Sequence, residues 1–505
     1  MKRLKDLLEQ SGLTQLGYTG DADLEIQGIA YDSRKVGPGY LFVCIRGEHH
    51  DGHAYINEAV ARGAVAVVID REVETGDGLG VVKATDSRQT LADISRAFYD
   101  NPSASLFCVG VTGTKGKTTT TYLIKSVLDE AGIPCGIMGT LGYVSRHETI
   151  SAKHTTPESL DIQAFLRKMR ASGEKAVAME VSSHAIALQR IRGVDFNVGV
   201  FTNIGHDHLD FHGSFQDYLM TKASFFETLG AECSGTKGSV KAKTAVVNID
   251  DPNSRIILSR TCARTLTYGI SHAAADITAS ELKLGGKTTS FVACTPQGSF
   301  PVSLNLRGVF NVYNALAAIG CALAAGSDPE IISIGLGRLE EVPGRFEYVD
   351  GGQPFAVVVD YAHTPDSLEN VLTEARRLGK GHLTVVFGCG GDRDKSKRPV
   401  MGKIAATLAD RVIVTSDNPR TEDAYGICSE IEKGILQGAL PRLGYEVILD
   451  RASAIQRAIS LAEEGDVLVI AGKGHETYQI FCDETIHFDD RETARRLLRE
   501  RMKNA

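Results

Sequence analysis

Paired cysteines are missing from this sequence: its ten cysteines are scattered singly along 505 residues, and none stands at CxxC spacing to another. In a chain of that size, scattered thiols read as reduced, mostly buried side chains and imply a cytosolic setting. Long apolar runs are missing too. None exceeds the length of a strand, so no membrane span and no membrane insertion is expected. Met1-Lys2-Arg3-Leu4-Lys5-Asp6 lacks the apolar core of a secretory signal. An excess of basic residues is absent. The formal net charge of −8 argues against nucleic acid as a main partner, although anionic small molecules stay open because binding depends on local charge. Repeats and low-complexity tracts are not evident. The hydrophobic content of 43% and charged content of 23% are those of an ordinary globular protein, and the length suggests about three domains.

What the chain does have is Val109-Gly110-Val111-Thr112-Gly113-Thr114-Lys115-Gly116-Lys117-Thr118-Thr119-Thr120. A strand-like run from Leu106 to Val111 enters a glycine turn. The turn opens into a helix-like segment, Thr118 to Ala131, with Leu123, Ile124, Val127 and Leu128 on one face. That is the context of a phosphate-binding loop. Glycines let backbone N–H groups close round phosphate oxygens, and the helix N-terminus adds partial positive charge. Lys117 would reach the outer phosphates and Thr118 would hold Mg²⁺. The loop is a tight variant: the general pattern has its first glycine where Val111 stands, and here the glycines are Gly113 and Gly116.

Residues 1–101 alternate short helix-like and strand-like stretches, with Leu41 to Ile45 and Ala64 to Ile69 as buried strands. Tyr31-Asp32-Ser33-Arg34 and Arg46-Gly47-Glu48-His49-His50-Asp51-Gly52 read as turn-rich loops, plain or ligand-holding. Asn101-Pro102-Ser103 is a plausible linker. Residues 102–340 carry the phosphate loop and a β/α alternation. His154-Thr155-Thr156-Pro157-Glu158 precedes a helix from Ser159 to Arg170, with Thr156 expected as N-cap and Pro157 at the first helical position. Ala176 to Val181 reads as a buried strand that delivers Glu180 to the sheet edge where ligands bind. A carboxylate there suits Mg²⁺. Ser182-Ser183-His184 and Arg190 follow. A strand from Val198 to Thr202 leads to Asn203-Ile204-Gly205-His206-Asp207-His208-Leu209-Asp210. His206 and His208 invite a zinc reading, but no companion Cys/His set has suitable spacing, and a histidine beside a magnesium site fits better. Lys222, on a helix, reads by itself as a solvated lysine. Asn248, Asp250, Asp251 and Asn253 close the segment. Gly308-Val309-Phe310-Asn311-Val312-Tyr313-Asn314-Ala315 opens an alanine-rich helix whose asparagines could cap it or touch a base.

Residues 341–505 repeat the alternation without a phosphate loop, with strands at Ala356 to Asp360, Leu383 to Phe387, Val412 to Thr415, Val447 to Leu449 and Val467 to Ile470. The strands end in Asp360-Tyr361-Ala362-His363, Gly388-Cys389-Gly390-Gly391-Asp392-Arg393-Asp394, Asp417-Asn418-Pro419-Arg420 and Gly472-Lys473-Gly474-His475-Glu476, a set that makes a binding face at one sheet edge. The expected fold is α/β in three domains, with a central parallel-sheet ATPase domain and a C-terminal doubly wound, Rossmann-like domain.

Taken together, Thr112 to Thr118, Glu180-Val181-Ser182-Ser183-His184, Asp207-His208-Leu209-Asp210, Pro343-Gly344-Arg345 and Asp360-Tyr361-Ala362-His363-Thr364-Pro365 make the chain resemble the Mur ligase family, over essentially its whole length. These are ATP-dependent amide-forming ligases of peptidoglycan precursor synthesis, and the family uses the shorter glycine loop. The resemblance implies that ATP phosphorylates a substrate carboxylate, that an amino acid's amine attacks the acyl phosphate, and that a tetrahedral intermediate collapses to amide, ADP and phosphate. It implies an ATP site of Thr112, Gly113, Thr114, Lys115, Gly116, Lys117, Thr118, Asn311, Asn314, Arg345, Asp360 and His363. Thr118 and Glu180 would hold one Mg²⁺. His208 would hold a second, beside Lys222, whose family counterpart is carbamylated. Lys117, Glu180, His208 and Lys222 are thereby the catalytic set.

The first domain would meet the uridine nucleotide of a UDP-muramoyl-dipeptide through Ser33, Glu48, His49 and His50. Thr155, Thr156, Ser182 and Arg190 would meet the muramoyl-dipeptide; His154 and Leu188 stand where some relatives have polar residues. The amino-acid site would be Arg393, Asp417, Asn418, Pro419, Arg420, Gly472 and Glu476. Arg420 can clamp the far carboxylate of meso-2,6-diaminopimelate with two parallel hydrogen bonds and would repel the cation of lysine. The competing readings are a relative adding lysine, or adding glutamate to folate, and a nucleotide switch without chemistry. The Asp417 to Arg420 loop and the Ser33-containing domain speak against the first two, and Lys222 with His208 against the last. A monomer working on small molecules is expected.

Overall fold

Three large sheets, beside two small two-stranded ones, carry the chain among the described residues, and the parallel strands of the large ones follow from uninterrupted apolar runs that need cover on both faces. The computed structural model describes every residue except 22, 48, 49, 77, 206, 231–242, 286, 287, 439 and 505, and leaves out the side chains of 209, 210, 230 and 504. Glu48, His49 and His206 therefore lie outside the described residues. No described helix is long and apolar enough to cross a membrane.

The first sheet is ordered Gly17–Thr19, Gly80–Lys83, Ala64–Ile69, Tyr40–Val43, Gly28–Ala30. Its last four strands are parallel. The middle sheet has eleven strands. At its centre Phe107–Thr112 lies between Ala176–Glu180 and Val198–Phe201, all parallel. Helices Lys117–Glu130 and Val309–Ala325 cover one face. Ser159–Ser172 and Phe215–Gly230 cover the other. Three neighbouring strands thus bring Thr112, Glu180 and Phe201 to one edge, where α/β sheets hold ligands. The third sheet is ordered Glu347–Tyr348, Ala356–Asp360, Val467–Ala471, Leu383–Phe387, Arg411–Val414, Tyr445–Val447 and is parallel but for its first strand.

The structure departs from the sequence reading of the fold at several points. Both flanks of the middle sheet are antiparallel, with Gly142–Val144 and Thr149–Ile150 on one side and Thr288–Thr295 and Gly298–Leu304 on the other. A hairpin, Tyr478–Phe481 with Glu484–His487, follows the last parallel strand. Thr156 does not cap its helix: the helix is Ser159–Ser172, its N-cap is Glu158, and Pro157 lies outside it. The Thr156 hydroxyl instead donates to Glu180 O at 2.7 Å and accepts from Ser182 N–H at 3.1 Å. A tertiary pairing has taken the hydroxyl that a local cap would have used.

Candidate active site

The phosphate loop is packed as tightly as its glycines allow. Gly113 has φ +149° and Gly116 φ +84°, and a Cβ at either would collide, with Thr202 Oγ1 and Asn314 Oδ1 respectively. Gly116 is the left-handed N-cap of the helix that begins at Lys117. The loop is braced by the neighbouring strand end. Thr114 N–H donates to Asn203 O at 2.9 Å, Lys115 N–H to Asn203 Oδ1 at 2.9 Å, and Thr202 Oγ1–H to Lys115 O at 2.7 Å. Lys117 Nζ lies over the loop, donating to Gly113 O at 2.9 Å and Thr114 O at 3.0 Å. Burial pulls the Lys117 pKa below its ordinary value.

Glu180 is 1% exposed. Its two oxygens accept from Thr140 N–H at 2.8 Å and Thr140 Oγ1–H at 3.1 Å, and Thr140 Oγ1 lies 3.2 Å from Thr155 Oγ1. Lys222 corrects the solvated-lysine reading. It is 1% exposed, donates to Gly113 O at 3.0 Å and sits 4.6 Å from the centre of the Tyr218 ring. Burial, helped by the Lys117 charge, holds its pKa well below the ordinary lysine value. The exposed His208 has φ +54° and borders the same ring, 6.3 Å between centroids, and also His184, at 4.8 Å.

The C-terminal domain meets this loop directly. Lys115 Nζ donates to Thr364 Oγ1 at 2.9 Å, and Arg345 Nη2 to Thr118 Oγ1 at 3.2 Å, with the guanidinium 4.7 Å from the Tyr361 ring centre. Asp360 Oδ2 accepts from Phe346 N–H at 2.7 Å and so fixes the turn that presents Arg345; burial raises its pKa. His363 Nδ1 lies 2.8 Å from Tyr361 O. A carbonyl only accepts, so Nδ1 carries the proton and Nε2 is left as an acceptor. Burial, then Lys115 and Lys397, push the His363 pKa down to about 4. Asn311 Nδ2 donates to Arg307 O at 2.8 Å and Asn314 Nδ2 to Asn311 Oδ1 at 3.0 Å, a chain that ends on Thr120 Oγ1.

At the far side of the third sheet Asp417, Asn418 and Pro419 are buried. Gly472, with φ +115°, leaves room for the Asp417 carboxylate: a Cβ would sit 2.7 Å from Oδ2. Asn418 Nδ2 donates to Glu476 Oε2 at 2.9 Å. Arg420 has φ +52° and is clamped by the hairpin, its N–H on Ile480 O and its carbonyl on Cys482 N–H. Its Nη1 donates to Gly391 O at 2.7 Å. Arg393 is exposed on the adjoining loop.

Three domain models match the sequence in order: the Mur ligase family catalytic domain over residues 25–99, the Mur ligase middle domain over 111–322 and the glutamate ligase domain of Mur ligases over 344–474. A UDP-N-acetylmuramoyl-L-alanyl-D-glutamate–2,6-diaminopimelate ligase of Syntrophomonas wolfei is 48% identical over 488 residues, 96% of this chain and 97% of that one. The chain belongs to the Mur ligase family. A ligase of the same name from Bacillus licheniformis is 45% identical over 483 residues, 96% of each chain. A solved structure of a ligase so named matches with TM-score 0.69 and 31% identity over 99% of both chains. A MurF ligase from Thermotoga maritima in complex with ADP shares the fold, with TM-score 0.64 at 20% identity over 95% of this chain and 99% of that one.

In this Mur ligase Thr156 and Arg190 lie where the first and middle domains touch, whereas Ser33 and His50 contact residues of the first domain. Arg190 Nε pairs with Glu158 Oε1 at 2.9 Å and its Nη1 donates to Thr156 O at 3.2 Å. Arg88 of the first domain reaches the same carboxylate at 3.1 Å, and Tyr31 Oη–H donates to Asp161 Oδ2 at 2.6 Å. Ser182 Oγ caps the short helix Ser183–Ala187. Ser33 is buried with its hydroxyl on Glu58 Oε2 at 3.0 Å, and exposed His50 lies 3.3 Å from Tyr55 Oη. Sequence reasoning missed Arg88, Thr140, Thr202 and Lys473. Lys473 is fully buried and donates to Asn418 Oδ1 at 3.2 Å and Glu476 Oε2 at 3.1 Å. Its loop was legible as a polar strand end; that its lysine turns inward was not.

Proposed function

We propose that this Mur ligase joins meso-2,6-diaminopimelate to UDP-N-acetylmuramoyl-L-alanyl-D-glutamate at the expense of ATP, a step of peptidoglycan precursor synthesis. The observation that carries the reading is the Asp417 to Arg420 loop, locked between Gly391, Gly472 and the hairpin at the edge of the third sheet, in a chain with full-length relatives that bear this name.

The D-glutamyl γ-carboxylate attacks the γ-phosphorus of ATP and ADP leaves. The free amine of diaminopimelate then attacks the acyl carbon, the nitrogen loses a proton, and the C–O bond to phosphate breaks. Such transfer is mostly positioning and charge neutralisation. The backbone of Gly113 to Lys117 would cradle the phosphates, with the Lys117 ammonium against the charge that builds on them. Asn311, Asn314, His363 and Arg345 would line the rest of the nucleotide. Thr156, Ser182 and Arg190 would hold the dipeptide end of the muramoyl nucleotide, and Ser33 with His50 its uridine end.

No group of three or more His, Cys, Asp or Glu among the described residues is assembled to hold a metal alone. Mg²⁺ needs no such cage when it also binds phosphate oxygens. The Thr118 hydroxyl and the buried Glu180 carboxylate fit a hard, oxygen-seeking ion, which would supply charge neutralisation at the phosphates. A bare Lys222 ammonium would oppose such an ion. Its depressed pKa keeps the amine nucleophilic, and addition to CO₂ with loss of a proton would give a carbamate. That anion beside His208 suits a second Mg²⁺. The scattered cysteines favour a cytosolic enzyme acting on small molecules.

ADP release should require the muramoyl nucleotide and diaminopimelate together, and the product should have the mass of the tripeptide nucleotide. ADP release that is indifferent to both would leave a nucleotide switch. Lys222→Ala should lower kcat about a hundredfold, the scale of one preorganised electrostatic group, and small carboxylic acids should restore part of it. Absence of rescue, together with an unmodified lysine in the intact mass of the active enzyme, would overturn the carbamate.

A further inference from the structure

The two loops proposed to hold the amino acid do not grow from neighbouring strands. Asp417 follows Arg411–Val414 and Gly472 follows Val467–Ala471, and Leu383–Phe387 lies between those strands in the sheet. The sheet's own hydrogen-bond ladder therefore sets each loop against the middle strand, not against the other loop. Nearer the loop tips Asn418 Nδ2 donates to Glu476 Oε2 and Lys473 Nζ to Asn418 Oδ1. At the loop roots a single side chain, Arg451, reaches a carbonyl of each. Arg451 Nη1 donates to Ser416 O at 3.3 Å and Nη2 to Ala471 O at 3.0 Å. These are the carbonyls immediately before Asp417 and Gly472. The rest of the fork is taken by Asp490, with Nε on Oδ1 at 2.7 Å and Nη2 on Oδ2 at 2.8 Å. Both side chains are fully shielded from solvent.

The placement is tied to the main framework. Arg451 opens the helix Arg451–Leu461 and Asp490 opens the helix Asp490–Asn504. Two helix starts therefore fix the carboxylate and the guanidinium, and these fix two loop roots. The planar fork is what the site needs: two carbonyls and a bidentate carboxylate lie in directions that a single ammonium cannot serve together.

We propose that Arg451, held by Asp490, is a positioning residue for the amino-acid site. It sets the separation of the roots of the Asp417–Arg420 loop and the Gly472–Glu476 loop, at Ser416 O and Ala471 O, without touching substrate. The inference rests on the assignment of these loops to the incoming amino acid. The phosphate loop is built on another sheet, and the nucleotide-side groups on this one, Asp360 and Arg345, keep their own contacts with Phe346 N–H and Thr118 Oγ1, so ATP handling should change far less than amino-acid binding.

The test is steady-state kinetics on the full chain of Arg451→Lys and of the double variant Arg451→Met with Asp490→Leu. The double variant removes both buried charges together and so leaves none unpaired. In each, KM for diaminopimelate should rise at least about tenfold, since small misplacements in a site are costly, while KM for ATP and for the muramoyl nucleotide stays within about twofold. The preference for diaminopimelate over lysine should narrow. Trapping of the acyl phosphate by hydroxylamine, which is small enough to need no amino-acid pocket, should proceed at the wild-type rate. An unchanged KM for diaminopimelate in a folded variant would overturn the proposal, as would a uniform loss that includes hydroxylamine trapping. If the double variant does not fold, Arg451→Lys, which keeps the buried charge, decides alone. Failure of the underlying assignment looks different: the wild-type enzyme would then show no saturation with diaminopimelate at all.

Discussion

Lys117→Ala should abolish ligation, with kcat falling by about 10⁴-fold, a loss within the range known for removal of a transition-state cation in phosphoryl transfer. The fold should survive. Among the described residues Lys117 Nζ donates to the backbone carbonyls of Gly113 and Thr114. It also faces the charge of the buried Glu180, but that carboxylate keeps its two hydrogen bonds from Thr140 when the lysine is removed. Burial already disfavours its charge, which means the ammonium is kept in place against its own solvation. The loss of two hydrogen bonds of about 0.5–1.5 kcal/mol each is partly offset by relief of that desolvation. The melting temperature should move by no more than a few degrees. The measurements are ADP release in the presence of both other substrates and thermal unfolding of the variant. Retention of a tenth of the wild-type rate would place the ATP phosphates elsewhere.

Diaminopimelate should be preferred to L-lysine by about a thousandfold in kcat/KM, and Arg420→Ala should remove most of that preference by losing diaminopimelate activity. The two amino acids differ by one carboxylate at the far end of the side chain. Arg420 spends Nη1 on Gly391 O, and its backbone is pinned on both sides by the Tyr478–Phe481 hairpin. Its remaining donors can meet that carboxylate bidentately. Hydrogen bonds to charged groups contribute about 1.5–3 kcal/mol each. Two of them, with a repelled cation in the lysine complex, amount to about 4 kcal/mol, which is the thousandfold ratio. Arg420→Ala should gain little lysine activity, because removing repulsion supplies no anion. Arg420→Lys should not restore diaminopimelate activity, because a point charge does not reproduce the fork. Comparable kcat/KM for the two amino acids in the wild-type enzyme would show that this loop does not select between them.

How much of this was legible before the structure depends on how local each signal is. The phosphate loop was readable because its parts are contiguous: Gly113, Gly116, Lys117 and Thr118 lie within one turn between a strand and a helix. The parallel strands were readable because burial on both faces demands unbroken apolar runs. The antiparallel flanks and the last hairpin were not, since Thr288–Thr295 and Gly298–Leu304 bury only alternate side chains and resemble ordinary polar sequence. Strand ends slip for the same reason: the strand expected from Val447 to Leu449 is Tyr445–Val447, and Leu449 is exposed.

The sequence by itself determined the α/β class, the three-domain plan and the strand–glycine loop–helix proposed to hold ATP, and, through Arg420, it supplied the proposed reading of the amino-acid site. Tertiary structure alone decided which polar side chains are taken out of water. Nothing in Tyr218-Leu219-Met220-Thr221-Lys222 says that Lys222 faces Gly113 O rather than solvent; only the packing of Phe215–Gly230 against the sheet does. Thr156 looked like a helix cap and became a brace for Glu180, because a hydroxyl bonds whichever partner the fold brings nearest. Glu158 bridges Arg88 and Arg190, and Arg451 bridges two strand ends, each between groups distant in sequence. Burial and charge pairing across such distances are properties of a three-dimensional arrangement. Periodicity and spacing report only what lies within a few residues along the chain.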